Sequence, residues 1–253
     1  MLRTYGTDCD GSIIEADADE VISTGATWID LFEPTKEEEA LVERCVGVEV
    51  PTQEDMAEIE PSSRLYEQNG ALYMTLSVLW GVEEGQPSTE PLSFVLTKNR
   101  LVTVRYVTPK PIRAFERHVH REPELVQNSL LVLYGLLDAI ADRMADELEA
   151  LGLEIERISA HVFRKNLDSR RISAHKLTAL LTRIGQAQTL LAKVRETAVS
   201  TSRLLSFLSG STQSRVKGAV AFRDRIQSLL TDVHSLVHHS SFLADNLTFL
   251  LDA

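Results

Sequence analysis

The strongest constraint on the fold is the absence of proline from the second half of the sequence. The last of the eight prolines is Pro123, and three long helical stretches follow it, at about 124–165, 170–208 and 214–253. The polar segments NLDSRR and SGSTQ separate these stretches. About forty residues make a helix of roughly 60 Å, far longer than most helices of globular proteins. The pattern therefore predicts three long antiparallel helices with coiled-coil packing.

The last of these stretches has the most regular apolar pattern. Apolar side chains recur at spacings of three and four over residues 226–250, and Ser240 is the one polar interruption. A second apolar edge runs beside this seam, formed by Leu230, Val237, Ala244 and Leu251. This width predicts packing in an oligomer as well as within the chain, while an intramolecular three-helix bundle fits the periodicity equally well. The stretch carries no helix stop signal before residue 253, so we expect the helix to continue.

The first half has the pattern of a mixed α/β domain. Turn signals at 10–11, 69–70 and 98–100 each separate two apolar segments, which predicts three β-hairpins. The segment TWIDLF is a further strand candidate. Thr35 and Glu38 match a capping box, so a short helix should begin there and end at Gly47. We expect an acidic α/β domain over 1–123 and a helix bundle over 124–253, with a stalk helix at 214–253.

The charges are distributed unequally between the two halves. The net charge is −11, and residues 1–124 contain 24 Asp and Glu against 11 Lys and Arg. Residues 125–253 contain 13 and 15, so all the excess acidity lies in the first half. This balance argues against nucleic acid as the main partner. A solvated acidic surface is the simpler interpretation, and a reservoir of carboxylates for divalent cations is the alternative.

The remaining composition limits the compartment and the function class. Cys9 and Cys45 provide neither a disulfide framework nor a metal-ligand spacing, which fits a reducing cytosol. The longest apolar run, at 129–141, is too short to span a bilayer and contains Asp138, so we expect the chain as given to be soluble. No signal peptide, nucleophile motif or nucleotide-binding loop is present in the sequence, and we expect no enzyme.

A few polar side chains lie in patterns that favour metal binding only weakly. His234 and His238 are four residues apart on one helical face, but a polar helix face explains them more simply. Glu54 and Asp55 lie in the first turn of a predicted helix, where capping and the helix dipole account for both. Asp138 lies in an apolar stretch and therefore needs either solvent or a partner.

The order of the segments resembles the CorA family of divalent metal-ion transporters, and its bacterial magnesium-transporter branch most closely. The resemblance is carried by TWIDLFEPTKEEE, IEPSSRLYEQNGALYMTL, FVLTKNRLVTVR, LLVLYGLLDAIAD and the terminal FLLDA, in the family's order. It implies a cytoplasmic α/β domain, long helices and a stalk that continues into the first transmembrane helix of a homopentamer. The family's two transmembrane helices and its Gly-Met-Asn motif are absent from this sequence.

The resemblance also implies a regulatory metal site between subunits. Asp55 falls at the family's acidic position in the α/β domain, and Asp252 falls at the stalk position of the neighbouring subunit. Glu54 and Asp138 match an adjoining acidic site of some members. The implied ion is Mg²⁺, both regulatory and transported, with Co²⁺, Ni²⁺ or Zn²⁺ as alternatives, and the implied location is the cytoplasmic face of the membrane. A ZntB-like zinc transporter and a soluble coiled-coil scaffold remain the competing interpretations.

Overall fold

The computed structural model describes residues 1–15, 21–165, 174–211 and 219–252. The strands are β1 (Leu2–Gly6), β2 (Cys9–Ile14), β3 (Ala26–Phe32), β4 (Leu65–Gln68), β5 (Ala71–Trp80), β6 (Ser88–Leu96) and β7 (Leu101–Arg105). The helices are α1 (Lys36–Val46), α2 (Gln53–Ala57), α3 (Pro61–Arg64), α4 (Lys110–Arg121), α5 (Ser129–Lys165), α6 (Ala174–Ser211) and α7 (Ala219–Asp252), with a 3₁₀ turn at Pro123–Val126. The predicted class, a mixed α/β region followed by three long helices, is confirmed.

The described strands form one sheet in the order β2-β1-β3-β7-β6-β5-β4. Every neighbouring pair is antiparallel except β3 and β7, which run parallel. The sheet therefore consists of two antiparallel halves that meet at a single parallel seam.

The hairpin signals predicted the strand pairing well and one turn position badly. Asn69 and Gly70 both have positive φ, +52° and +79°, as a tight turn between β4 and β5 requires. The pairing of β1 with β2 is also confirmed, but the turn lies at residues 7–8 and not at 10–11. Gly11 instead lies within β2 at the irregularity opposite Tyr5, with φ +92°. A glycine at a bulge and one in a turn give the same sequence signal.

One face of the sheet is covered by the short helices. The capping box of α1 is confirmed, because Thr35 caps the Glu38 amide and the Glu38 carboxylate accepts from the Thr35 amide. Gly47 ends the helix in the left-handed conformation at φ 75°. Leu41 and Val42 of α1 then pack in one apolar cluster with the alternate side chains of β3 and β7.

The other face is covered by α4, α5 and α6. Ile112 and Phe115 of α4 lie in one apolar cluster with Trp28 of the sheet and the buried side of α5. The helix begins at Lys110, and Pro111 fits its first turn, where no amide donor is required. Gly135 of α5 faces the ring of Phe115 so closely that an added Cβ would overlap it.

The three long helices pack against one another, and the seam predicted for the last one is buried. The contacts of α7 are with α5 and α6 of the same chain. Its buried side chains are Phe222, Ile226, Leu229, Leu230, Val233, Ser240, Leu243, Leu247 and Leu250. The polar interruption is tolerated because the Ser240 hydroxyl donates to the carbonyl of Val237, 2.7 Å away. The intramolecular bundle is therefore present in the described residues.

A buried ion pair joins the two strands of the parallel seam, on the sheet face that α4, α5 and α6 cover. Arg105 of β7 and Asp30 of β3 are 1% and 0% exposed, with Arg105 Nη2 2.8 Å from Asp30 Oδ2. The Thr103 hydroxyl donates to Asp30 Oδ1 at 2.6 Å and accepts from the indole of Trp28 at 2.9 Å. The Arg105 guanidinium also donates to the Val107 carbonyl. The polar groups are thus satisfied inside an apolar core, as burial requires.

Candidate functional site

Asp55 lies in the first turn of α2, where the sequence predicted it, and is exposed. Its Oδ2 accepts hydrogen bonds from the Thr52 amide at 2.9 Å and the Thr52 hydroxyl at 2.7 Å. The Thr52 hydroxyl in turn accepts from the Asp55 amide at 3.3 Å, which completes a capping box. These bonds fix the carboxylate and leave Oδ1 without a partner in the described part of the chain. One oxygen of a positioned carboxylate is thus available for a cation.

Glu54 and Asp252 are more freely placed. Both side chains are exposed, and neither forms a hydrogen bond or an ion pair with any residue of the described ranges. Asp252 is the last residue of α7. Ile59, after α2, and Thr248, in the last turns of α7, line one cleft. The segments that carry Asp55 and Asp252 therefore border the same side of the molecule.

Asp138 is partly buried between α5 and α7. The Tyr134 hydroxyl donates to its Oδ1 at 3.4 Å. Burial raises the pKa of the Asp138 carboxyl above its usual value, the charges of Asp142 and Asp232 raise it further, and the Tyr134 bond opposes them. The guanidinium of Arg225 lies 5.5 Å from the centre of the Tyr134 ring. Asp138 is thus part of an acidic group that a neighbouring cation would stabilise.

Of the three aspartates in this acidic group, the sequence pattern singled out Asp138 and missed Asp142 and Asp232. Asp142 follows Asp138 by four residues on α5, and that spacing was a usable signal. Asp232 belongs to α7, and only the packing register of the two helices brings it close. The sequence pattern alone does not give that register.

The structure does not bring the four predicted residues into one site within a single chain. Over the ranges that the structure describes, no group of three or more His, Cys, Asp or Glu side chains is arranged to hold a metal ion. His234 and His238 are both exposed on α7, and no third His, Cys, Asp or Glu of the described ranges joins them in a metal-binding arrangement. The donor set nevertheless suits Mg²⁺, which keeps most of its water and binds through one or two carboxylates.

Known proteins share both the sequence pattern and the fold of this chain. The model of the family described as CorA-like Mg²⁺ transporter protein matches residues 23–253. A magnesium transport protein CorA from Haemophilus influenzae is 24% identical over the whole chain, which spans 77% of that relative. The soluble domain of CorA from Methanocaldococcus jannaschii matches with a TM-score of 0.75 at 18% identity, over 100% of this chain and 95% of that one.

A second solved structure shares the same fold. The ZntB cytoplasmic domain from Vibrio parahaemolyticus matches with a TM-score of 0.65 at 11% identity, over 93% of this chain and 88% of that one. None of the helices within the described ranges combines the length and apolarity needed to cross a membrane.

Proposed function

The chain belongs to the family of CorA-like Mg²⁺ transporter proteins, and we propose that it is the cytoplasmic region through which such a transporter senses Mg²⁺. The observation that carries the proposal is the family match, which extends over both the α/β region and the long helices. In this proposal residues 1–123 form the sensing domain, and residues 124–253 form the bundle whose last helix is the stalk. The transported ion is Mg²⁺, with Co²⁺, Ni²⁺ and Zn²⁺ as alternatives.

The assembly that we propose is a homopentamer around α7. The buried face of α7 is used within the chain. On another face Phe242 and Phe249 remain 58% and 62% exposed, although the Phe249 ring stacks on Phe163 of α5. These two phenylalanines are seven residues apart and so lie on nearly the same side of the helix. Exposed aromatic side chains at a heptad spacing support contact between the stalks of neighbouring copies.

The regulatory contact that we propose joins Asp55 of one copy to Asp252 of its neighbour. Thr52 holds the Asp55 carboxylate by Oδ2, so that Oδ1 faces solvent with little rotational freedom left to lose. Asp252 is exposed at the end of a long rigid helix. Mg²⁺, when bound, would supply the positive charge that two facing carboxylates lack. Glu54 and Asp138 are the proposed adjoining carboxylates.

The gating consequence follows from charge. At high Mg²⁺ the bridged carboxylates hold the copies in a closed, symmetric arrangement. When Mg²⁺ falls, the like charges repel, the copies separate and the stalks relax the pore. A coupling of about 1–3 kcal/mol for each bridge is typical of allosteric effectors, and several such bridges would shift the balance between two states.

The test compares a double variant with a matched control. Limited proteolysis and sedimentation of the wild-type chain, with and without millimolar Mg²⁺, should show a compact assembly only with the metal. Asp55→Asn/Asp252→Asn should lose this response. Glu60→Gln/Asp245→Asn removes the same charge at exposed positions of the same two regions and should keep it.

Three results would count against the proposal. Unchanged proteolysis of the wild type would exclude Mg²⁺ sensing and favour the scaffold interpretation. Compaction at micromolar Zn²⁺ but not at millimolar Mg²⁺ would favour a zinc transporter. This alternative is tested because the ZntB cytoplasmic domain has the same fold. Equal loss of the response in both double variants would exclude the named aspartates as its specific cause.

A further inference from the structure

A cleft of about 720 Å³ lies between the sheet edge and the helices α6 and α7. Three arginines line it: Arg64 from α3, and Arg195 and Arg203 from α6. The chain as a whole carries an excess of acidic residues, 37 against 26 basic ones. A concentration of guanidinium groups in a concave surface is therefore opposite in sign to the rest of the molecule.

Arg64 is held in position by the protein. Its Nε donates to the Glu58 carbonyl, and its Nη1 donates to the Ser77 hydroxyl at 3.1 Å. Nη2 has no acceptor among the described residues. The amide of Ser77 donates to the Ser200 hydroxyl at 3.0 Å, which fixes α6 against β5. The two sides of the cleft are thus linked before any ligand enters.

Arg195 and Arg203 have no carboxylate partner in the described ranges. They are eight residues apart on α6, about 12 Å along the helix axis. Glu196, the one acidic residue of the described lining, is already engaged, because it accepts from the Thr89 hydroxyl at 2.8 Å and the Lys193 ammonium at 3.1 Å. Two unpaired guanidinium groups remain free to form charge-assisted hydrogen bonds.

The rest of the lining is apolar or hydroxylic. Leu65, Leu191 and Val199 supply apolar surface, while Thr75 and Thr248 supply hydroxyl groups. Among the residues that the structure describes, no aromatic side chain lines the cleft, so a stacked base is not favoured as the ligand. The volume is that of a small-molecule site.

We propose that this cleft binds a small organic or inorganic polyanion that carries phosphate or carboxylate groups. Arg64 binds it from the sheet side, and Arg195 and Arg203 bind it from α6. The bound anion ties the sheet edge to the helix bundle and stabilises the fold. The cleft borders the segments that carry Asp55 and Asp252, but neither aspartate lines it, and its occupation does not require Mg²⁺.

The test is calorimetric titration of the whole chain, in magnesium-free buffer, with pyrophosphate and with citrate. Arg195→Gln/Arg203→Gln should weaken binding of the preferred probe by about tenfold or more, since each variant residue loses charge-assisted hydrogen bonds. Lys176→Gln/Arg223→Gln removes two positive charges from exposed helix positions outside the cleft and should change affinity by less than about twofold. The tighter probe identifies the anionic group that is preferred.

A second variant adds charge without removing a contact. Ala192 is an exposed lining residue of the cleft, and Ala192→Glu should weaken binding of the same probe by repulsion. The proposal is overturned if neither probe binds the wild type at millimolar concentration. It is also overturned if both double variants weaken binding equally, because the effect would then be general electrostatic attraction.

Discussion

Replacing Arg105 by methionine should destabilise the fold strongly, because it leaves a buried carboxylate without its cation. The variant Arg105→Met removes the bonds from Nε and Nη2 to the Asp30 carboxylate, at 3.1 and 2.8 Å, and the bonds to Val107 and Thr108. Asp30 then remains fully buried, and the Thr103 hydroxyl is its one remaining side-chain donor among the described residues. Breaking one partner of a buried pair typically costs about 3–5 kcal/mol, because the other charge stays desolvated.

The double variant separates the cost of an orphaned charge from the value of the pair. Asp30→Leu/Arg105→Met removes both charges and should be clearly more stable than Arg105→Met alone. Guanidinium chloride unfolding, followed by circular dichroism with the slope m checked for constancy, measures both differences. Arg157→Gln is the exposed control: Arg157 is 68% exposed and 3.7 Å from Glu154, so its loss should cost less than about 1 kcal/mol.

Two results would refute the reasoning. A cost below about 1 kcal/mol for Arg105→Met would mean that the carboxylate of Asp30 is not desolvated as its burial indicates. With Asp30→Leu alone measured in the same way, a double variant whose cost equals the sum of the two single variants would mean that the pair is not coupled.

Three further predictions concern local features. Asp138→Asn should raise the melting temperature at pH 7 in EDTA. The pKa of Asp138 is raised in the folded state, so ionisation of its carboxyl opposes folding above that pKa. The higher melting temperature of the variant should disappear as the pH falls towards about 3.9, the pKa of an unfolded aspartate. Gly135→Ala should destabilise the chain by about 1–3 kcal/mol, because the added Cβ meets the Phe115 ring, although alanine has the better helix propensity. Adding Phe115→Leu to this variant should restore part of the lost stability, as measured by thermal unfolding. Thr35→Ala should cost about 0.5–2 kcal/mol in denaturant titration, whereas Thr35→Ser, which keeps the capping hydroxyl, should cost much less.

Local signals in the sequence predicted the local structure, because their causes are local. The capping box at Thr35, the left-handed Gly47 and the Asn69-Gly70 hairpin each depend on a few neighbouring residues, and each is confirmed. The turn at 10–11 was wrong because a positive φ at Gly11 is compatible with a bulge as well as a turn.

Contacts between distant segments could not be predicted in the same way. The Asp30–Arg105 pair depends on β3 and β7 becoming parallel neighbours, which neither segment specifies by itself. The charge of Asp232 near Asp138, and the three arginines of the cleft, depend on how helices pack in register. The proposed metal positions came from resemblance to a family, and the contact proposed for them involves a neighbouring copy of the chain.

The parallel seam also has a consequence for the order of folding. Strands β4 to β7 are joined by short connections and can pair early, whereas β3 must find β7 across the intervening residues 33–100. Closing so long a loop has an entropic cost that is recovered only when the seam forms, which places docking of the N-terminal strands late. In a φ-value analysis of the folding transition state, substitutions at Asp30 should then give lower values than substitutions in the Asn69-Gly70 hairpin. The same ion pair that stabilises the finished sheet would chiefly slow its unfolding.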